Sequence, residues 1–343
     1  MPASLVSQSG ADLAASIASA ARHAGFQGAQ VSGLKRLSGG ASKESWAFAL
    51  STGDGGEIRM VLRRQPAESR FASTGLDSLS TEAALLRAVG GQGVPVPEVF
   101  FELEPGNAAG EGYAMARIDG ETVGVRILKL PELSGAREAL AVQCGRILAG
   151  IHKTDIGALP ELNEIRPAQA LDALRRRYKA TGQWRPVFSY AIRWLEENLP
   201  VDGPACLIHG DFRNGNLVVG PDGVRAVLDW ELAHIGAPAS DLAWLCVTSW
   251  RFQNPALPVG GFGTREQLLE AYVSAGGEAI SGEVLHAWEV YQTLNWGVMC
   301  AEAGANYMRG IRTVEGAMIA RRASETEFDL LRLLHPDHGA WHA

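Results

Sequence analysis

The pattern of hydrophobic residues changes once along the chain, and this change limits the folds that the chain can adopt. Short apolar runs with strand character, AQVSGLKRL, SWAFALS and EIRMVLRR, lie within residues 29–64 and are separated by Gly-rich turns. From about residue 131 the apolar residues recur with helical spacing in long segments such as AREALAVQCGRILAGIHKTD. The sequence therefore predicts an α+β protein, with a small antiparallel β-sheet followed by a larger, mainly helical part.

The first part of the chain has further elements of both kinds. Residues 11–24 have helical composition, and STEAALLRAVGGQG predicts a helix that Ser80 can cap. VPVPEVFFEL and GYAMARIDG predict two more strands, the second of which ends at a polar Asp-Gly turn. We place the domain boundary at this turn, which gives an N-terminal domain of residues 1–118 and a C-terminal domain of residues 119–343.

Composition excludes several classes of partner. The chain has 31 basic and 38 acidic residues among 343, and a net charge of −7 is the wrong sign for a protein that binds nucleic acid. No window of about 18 apolar residues and no signal peptide occur, so we expect no membrane partner and a cytoplasmic location. The four cysteines are far apart in sequence, which predicts reduced thiols. The oligomeric state is not indicated.

A polar segment, HGDFRNGN at residues 209–216, lies between the apolar runs CLI and LVV. Such flanks predict a polar loop on a rigid scaffold, a common place for catalytic residues. A hairpin is predicted next, because Gly-Pro-Asp-Gly joins two apolar runs in NLVVGPDGVRAVLDW. Asp211 and Asn216 precede the hairpin and Asp229 follows it, so their oxygens can converge. Such a set suits Mg²⁺ on nucleotide phosphates, and Glu231 would share the face of Asp229 on an extended segment.

These motifs resemble the aminoglycoside phosphotransferase and choline kinase superfamily. HGDFRNGN matches the HxDxxxxN catalytic-loop pattern, and LDWE with GAPASDLAWL resembles the metal-binding strand and the following helix. LSGGASKESW, MVLRR, TEAALLRA and YAMARIDG occur in the order expected of the nucleotide lobe. The resemblance covers roughly residues 30–250 and is greatest to kinase-like domains found beside acyl-CoA dehydrogenases. It implies a bilobal protein-kinase-like fold and a phosphotransferase with an alcohol group as acceptor.

The resemblance also implies roles for the residues of the catalytic loop. Asp211 would orient or deprotonate a hydroxyl of a small-molecule acceptor. Asn216 and Asp229 would hold Mg²⁺ against the β- and γ-phosphates of ATP or GTP, with Glu231 as a further candidate ligand. The loop would be supported by His209 and by Asp241, which would also cap the helix that it opens.

In the nucleotide lobe, the resemblance implies binding by backbone and side-chain groups. Amides of the turn from Gly39 through Gly40 to Ser42 would cover the phosphates, and the chain from Met115 and Ala116 to Ile118 would bind adenine. Glu82 would pair with a cation on a strand. The expected lysine is replaced by Arg63, a fork-shaped donor that still binds phosphate but with different geometry.

Three functions remain open from the sequence alone. The first is a small-molecule kinase, whose acceptor could be an aminoglycoside, a choline-like alcohol, a sugar or a hydroxyacyl compound. The second is a nucleotide-binding regulatory protein without turnover, which would not require Asp211. The third is a hydrolase that binds a metal through His209, Asp211 and Asp229, although such a site would need more histidines.

Overall fold

A computed structural model describes residues 10–39, 43–53, 55–66, 78–104, 106–200, 203–252 and 254–336. The chain forms two compact units. The first unit comprises Met1–Gly120, Gly157–Glu161 and Ala226–Glu231, and the second comprises Glu121–Ile156, Leu162–Arg225 and Leu232–Ala343. The first unit therefore contains two short segments from later in the chain, which a single boundary at residue 118 does not include.

The first unit is built on one antiparallel sheet with strand order β1-β2-β3-β5-β4. Its strands are β1 (Gln30–Gly39), β2 (Glu44–Ser51), β3 (Glu57–Gln65), β4 (Val99–Glu102) and β5 (Glu111–Ala116). All five were predicted from the sequence. The fourth is shorter than the apolar run VPVPEVFFEL because Pro95 and Pro97 lack the N–H group that a paired strand donates.

Two helices flank this sheet, α1 (Gly10–His23) and α2 (Leu79–Gly91). The first buries Leu13 and Ile17 in one core with apolar residues of β2 and β3. The prediction that Ser80 caps the second helix is wrong, because Ser80 lies inside the first turn. Ser78 is the N-cap, and its Oγ accepts a hydrogen bond from the Thr81 N–H at 3.1 Å.

The second unit is mainly helical. Its helices are α3 (Gly124–Lys129), α4 (Ser134–His152), α5 (Pro167–Ala180), α6 (Pro186–Asn198), α7 (Pro238–Cys246), α8 (Arg265–Ser274), α9 (Gly282–Met308), α10 (Val314–Ala320) and α11 (Ala323–Leu333). Short 3₁₀ helices lie at Pro131–Leu133, Ile156–Ala158 and Thr248–Trp250. The remaining strands are β6 (Cys206–Ile208), β7 (Leu217–Gly220), β8 (Gly223–Val227) and β9 (His234–Gly236). β6 pairs with β9, and β7 pairs with β8 as the predicted hairpin.

The core of the second unit forms around α9, a helix of 27 residues with most of its length buried. It packs against α5, α6, α7, α10 and α11, while α4 packs against α8. Trp244, Trp250 and Trp296 are buried against one another, with ring centroids 5.0 to 6.5 Å apart. These tryptophans are therefore part of the core.

Among the residues with a described structure, no helix has the length and hydropathy needed to cross a bilayer.

Candidate active site

The polar segment lies in the second unit as a loop between β6 and β7. The carboxylate of Asp211 accepts three side-chain hydrogen bonds there. Asn216 Nδ2 donates to Oδ2 at 2.6 Å, and Trp244 Nε1 and Arg213 Nε donate to Oδ1 at 2.7 and 2.9 Å. The Asp211 side chain is only 16% exposed. These three donors fix the direction of both oxygens.

Asp241 supports this loop from α7 and is completely buried. Its Oδ2 accepts the His209 N–H at 2.7 Å, and its Oδ1 accepts the Gly210 N–H at 2.9 Å. Burial alone would raise the pKa of Asp241, but the hydrogen bond and charge of His152 together with His209 lower it. The predicted brace is present. The predicted helix cap is wrong, because Ala237 is the N-cap and the carboxylate of Asp241 is directed at the loop.

The first two residues of the loop depend on a close backbone approach. Gly210 has a φ of +84°, and a Cβ atom at this position would lie 2.4 Å from the Leu232 carbonyl oxygen. His209 is buried, and its Nδ1 accepts the Asp211 N–H at 3.1 Å. Both residues thus set the conformation of the loop at Asp211.

His152 and Tyr272 also contribute to this support, although sequence reasoning assigned His152 no role. His152 Nε2 donates to Asp241 Oδ2 at 3.3 Å, and its Nδ1 lies 2.9 Å from the Tyr272 hydroxyl oxygen. His152 is the last residue of α4, and Tyr272 lies in α8, which packs against α4. No motif marks them, because each is 31 or more residues from Asp241.

In the first unit, β3 carries Arg63 into a group of acidic side chains. Its Nε donates to Glu82 Oε2 at 2.8 Å, and its Nη2 contacts Asp229 Oδ1 at 2.7 Å and Glu231 Oε2 at 3.1 Å. Burial would lower the pKa of Arg63, but the charges of Glu82 and Asp229 raise it well above its ordinary value. The predicted pair between Glu82 and a strand cation is present.

A second cation, Lys43, reaches the same carboxylates. Its Nζ lies 2.5 Å from Glu82 Oε1 and 3.3 Å from Glu231 Oε2. Glu82 is 2% exposed and also accepts the Tyr113 hydroxyl at 3.2 Å. Sequence reasoning did not select Lys43, although its position directly after the Gly-rich turn was an available signal. We refer to Lys43, Arg63, Glu82, Asp229 and Glu231 as the Glu82 cluster.

The carboxylates of Asp229 and Glu231 come together through a turn. The expectation of an extended segment is wrong, since Asp229 has a φ of +66° and Glu231 lies in a turn. Both side chains still contact Arg63 Nη2, and they are 34% and 42% exposed. The turn directs both partly exposed carboxylates at the same atom, Arg63 Nη2. In a strand, the side chains of these alternate residues would point in the same direction without converging.

The residues predicted to bind Mg²⁺ are hard oxygen donors, but they belong to different units. Asp229 and Glu231 lie in the first unit and Asn216 in the second. Asn216 donates its amide nitrogen to Asp211, so the oxygen is the atom left for a metal. These donor types fit Mg²⁺. Within the described ranges, no group of three or more His, Cys, Asp or Glu side chains could hold a metal ion.

The predicted nucleotide-binding segments are described only in part. Gly39 ends β1 opposite Glu44, whereas Gly40 and Ser42 lie outside the described residues. In the predicted adenine-binding chain, the Ala116 N–H donates to the Glu98 carbonyl and the Arg117 N–H to the Arg59 carbonyl. Met115 and Ala116 belong to β5, so Ile118 follows the end of the sheet.

Comparison with known proteins identifies the family. The model of the phosphotransferase enzyme family matches residues 33–277, which is more than half of the chain. The chain belongs to this family. The family assignment confirms the enzyme class predicted from the catalytic loop, a phosphotransferase with an alcohol group as acceptor.

Two curated relatives match the chain over part of their own length. The chain is 29% identical over 293 residues to human acyl-CoA dehydrogenase family member 11, covering 80% of the chain and 36% of that protein. It is 31% identical over 201 residues to mouse family member 10, covering 55% of the chain and 18% of that protein. The chain thus spans about a third or less of these relatives.

The solved structures establish the fold. A Ralstonia eutropha protein assigned as an aminoglycoside phosphotransferase has a TM-score of 0.73 at 19% identity, covering 93% of this chain and 97% of that chain. A choline/ethanolamine kinase family protein of Mesorhizobium loti has a TM-score of 0.62 at 19% identity, with 95% of each chain covered. The predicted kinase-like fold, with a small antiparallel sheet and a helix-rich second part, is confirmed.

Proposed function

We propose that this chain is a Mg²⁺-dependent small-molecule kinase that transfers the γ-phosphoryl group of ATP or GTP to a hydroxyl group of its acceptor. The first unit would bind the nucleotide, and the second would hold the acceptor. Nucleotide use is supported by a solved aminoglycoside phosphotransferase of the same fold, which was captured with AMP-PNP and hygromycin B. The observation that carries the proposal is the fixed carboxylate of Asp211.

The role proposed for Asp211 follows from its three donors. Because Asn216, Trp244 and Arg213 hold the carboxylate in one orientation, it can align an acceptor hydroxyl and accept its proton. Positioning is the main requirement in phosphoryl transfer, since its transition state is loose and needs little covalent help. A protein that only bound a nucleotide would have no use for this arrangement.

The proposed metal ligands are Asn216 and Asp229, with Glu231 as a third. When bound, Mg²⁺ would neutralise charge on the transferring phosphates. This chain's contribution is to present the two carboxylates at a partly exposed position. Arg63 holds both through Nη2, so their orientation does not depend on the metal.

A hydroxyacyl compound is the acceptor class that we favour. The curated relatives are named acyl-CoA dehydrogenase family members, and the chain matches 36% of one and 18% of the other. Two activities in one polypeptide often serve related substrates, so a kinase region joined to an acyl-CoA dehydrogenase would be expected to phosphorylate an acyl compound. The fold itself does not select a substrate, because it also occurs in aminoglycoside and choline kinases.

The test of the proposed reaction compares variants of two aspartates. Asp211→Asn should lower kcat by about 10²–10⁴-fold while the Kd for MgATP stays unchanged, because the group acts on the acceptor. Asp222→Asn, at an exposed position of the hairpin turn, is the matched control and should leave both constants unchanged. Phosphoryl transfer would be followed by ³¹P NMR with hydroxyacyl thioesters, choline and hygromycin B as acceptors. Wild-type turnover in Asp211→Asn would exclude the proposed role.

A second variant tests the metal site. Asp229→Ala should abolish the Mg²⁺-dependent part of ATP binding measured by calorimetry, because its carboxylate would carry the main protein charge on the metal. Equal ATP affinity in Mg²⁺ and in EDTA for the wild-type protein would contradict the proposed cofactor.

A further inference from the structure

The two cations of the Glu82 cluster differ in how much of their binding capacity is already used. Arg63 directs Nε at Glu82 and Nη2 at both Asp229 and Glu231, so three carboxylates surround one planar guanidinium. Exposure does not separate the two cations, because the side chain of Arg63 is 16% exposed and that of Lys43 is 12% exposed. A nucleotide phosphate at Arg63 would have to displace a carboxylate or lie beside three of them, and like charges at such distances repel strongly.

Lys43 contacts fewer carboxylates than Arg63 does. Its Nζ carries three rotatable donors on a flexible stem and contacts two carboxylates, Glu82 at 2.5 Å and Glu231 at 3.3 Å. The longer contact is with a carboxylate that is 42% exposed and also bound by Arg63, so Lys43 can leave it without stranding a buried charge. Its contact with the buried Glu82 can be kept at the same time.

The position of Lys43 in the chain favours the same role. It directly precedes β2 and follows the Gly-rich turn, whose amides are proposed to cover the phosphates. Arg63 lies in the interior of β3, paired with Ser45 of β2 on one side and Tyr113 of β5 on the other. The backbone of Arg63 is therefore hydrogen-bonded within the sheet on both sides, whereas Lys43 lies outside the strands, one residue before β2 begins.

We propose that Lys43 is the cation that binds the nucleotide phosphates, and that Arg63 is a positioning residue that holds Glu82, Asp229 and Glu231 in place. This inference rests on the proposed use of a nucleotide. Glu82 then serves both cations at once, with Oε1 toward Lys43 and Oε2 toward Arg63. Burial and the charge of Glu82 raise the pKa of Tyr113, so its hydroxyl stays a neutral donor to the same carboxylate.

The test measures how much each cation adds to phosphate binding. Dissociation constants for adenosine and ADP would be measured by calorimetry in EDTA, so that no metal contributes. The variants are Lys43→Met, Lys43→Arg and Arg63→Met. Lys35→Met is the matched control, because Lys35 is an exposed lysine on β1 of the same hairpin.

Lys43→Met should weaken ADP binding by about tenfold or more with adenosine binding unchanged, since one charge-assisted contact to phosphate is lost. Lys43→Arg should recover part of this loss. Arg63→Met should lower the melting temperature and weaken the binding of adenosine and of ADP by a similar factor. The reason is that it removes a contact within the Glu82 cluster and no contact with phosphate. The control should leave all these values unchanged.

Two results would overturn the inference. In the first, the wild-type protein binds both compounds, and the ratio of the dissociation constants for adenosine and ADP is the same in Lys43→Met as in wild type. The other is a loss selective for ADP in a folded Arg63→Met variant together with none in Lys43→Met. If the wild-type protein binds neither compound, the proposed function itself fails, and the inference fails with it.

Discussion

The buried carboxylate of Asp241 holds the backbone of the loop that precedes Asp211. Its two oxygens accept the N–H groups of His209 and Gly210 and the ring N–H of His152, all from within the second unit. If a buried N–H group loses its acceptor, the free energy spent in removing it from water is no longer offset by a hydrogen bond. The conformation of the loop at Asp211 therefore depends on a residue of α7 that binds the backbone of the two preceding residues.

We predict that Asp241→Asn lowers the free energy of unfolding at pH 7 by about 2–3 kcal/mol, because the amide offers one acceptor oxygen where the carboxylate offers two. The folded pKa of Asp241 is lowered, so its contribution is present above the unfolded pKa and is lost as the pH falls through the folded pKa. Urea unfolding at pH 7 and near pH 3 would measure this. A difference from wild type that persists undiminished in acid would contradict it.

At the scale of elements, the support of the loop depends on how closely α4 and α8 approach. A Cβ atom at Gly145 in α4 would lie 2.4 Å from the Leu268 carbonyl oxygen and 2.9 Å from the Tyr272 backbone nitrogen of α8. Both partners are backbone atoms, which cannot move aside as a side chain can. This close approach sets the distance between His152, the last residue of α4, and Tyr272 of α8.

We predict that Gly145→Ala destabilises the protein by about 1–3 kcal/mol through this overpacking, more than the helix propensity gained. Gly135→Ala in the same helix is the control, since a Cβ there meets nothing within 4 Å. It should be neutral or stabilise by up to about 1 kcal/mol. Thermal unfolding of both variants would measure the difference, and equal stabilities would argue against a tight contact between α4 and α8.

Element prediction succeeded wherever a local pattern was sufficient. The alternating runs of the first unit and the Gly-Pro-Asp-Gly turn correspond to strands and a hairpin in the structure. Two errors occurred at helix starts, because Ser78 rather than Ser80 precedes α2 and α7 begins at Pro238, three residues before Asp241. A third was the extended segment expected at Glu231, where the positive φ of Asp229 breaks the strand.

At the scale of the whole molecule, one buried carboxyl group, that of Asp329, makes the free energy of unfolding depend on pH. Asp329 of α11 is 9% exposed, and its burial raises its pKa to about 6, partly offset by Arg251 and Arg332. For a carboxyl group whose folded pKa is raised, the stabilising effect is present below the unfolded pKa near 4 and is lost as the pH rises through about 6. At neutral pH this group therefore destabilises the folded chain.

We predict that Asp329→Asn is more stable than wild type by about 1–3 kcal/mol at pH 7.5 and similar to it near pH 4. Urea unfolding at intervals between pH 4 and 7.5 would give the difference curve, which should rise mainly between about pH 4 and 6 and level off above pH 6. Asp172→Asn, an exposed aspartate on α5, should give a flat difference. A flat curve for Asp329→Asn as well would show that this carboxyl group is not perturbed.

The sequence by itself determined the change from sheet to helix, the strands of the first unit and the hairpin, because periodicity and turn residues act within short segments, where the chain interacts mainly with itself. The HxDxxxxN motif was also readable in the sequence, and its resemblance to known phosphotransferases indicated the family. The tertiary structure decided which distant side chains are partners, such as Lys43 with Glu82 and His152 with Asp241, 39 and 89 residues apart. Such pairs depend on how whole elements pack. No local pattern encodes that packing, so a lysine beside a turn and a histidine in an apolar helix cannot be assigned partners until the fold brings them together.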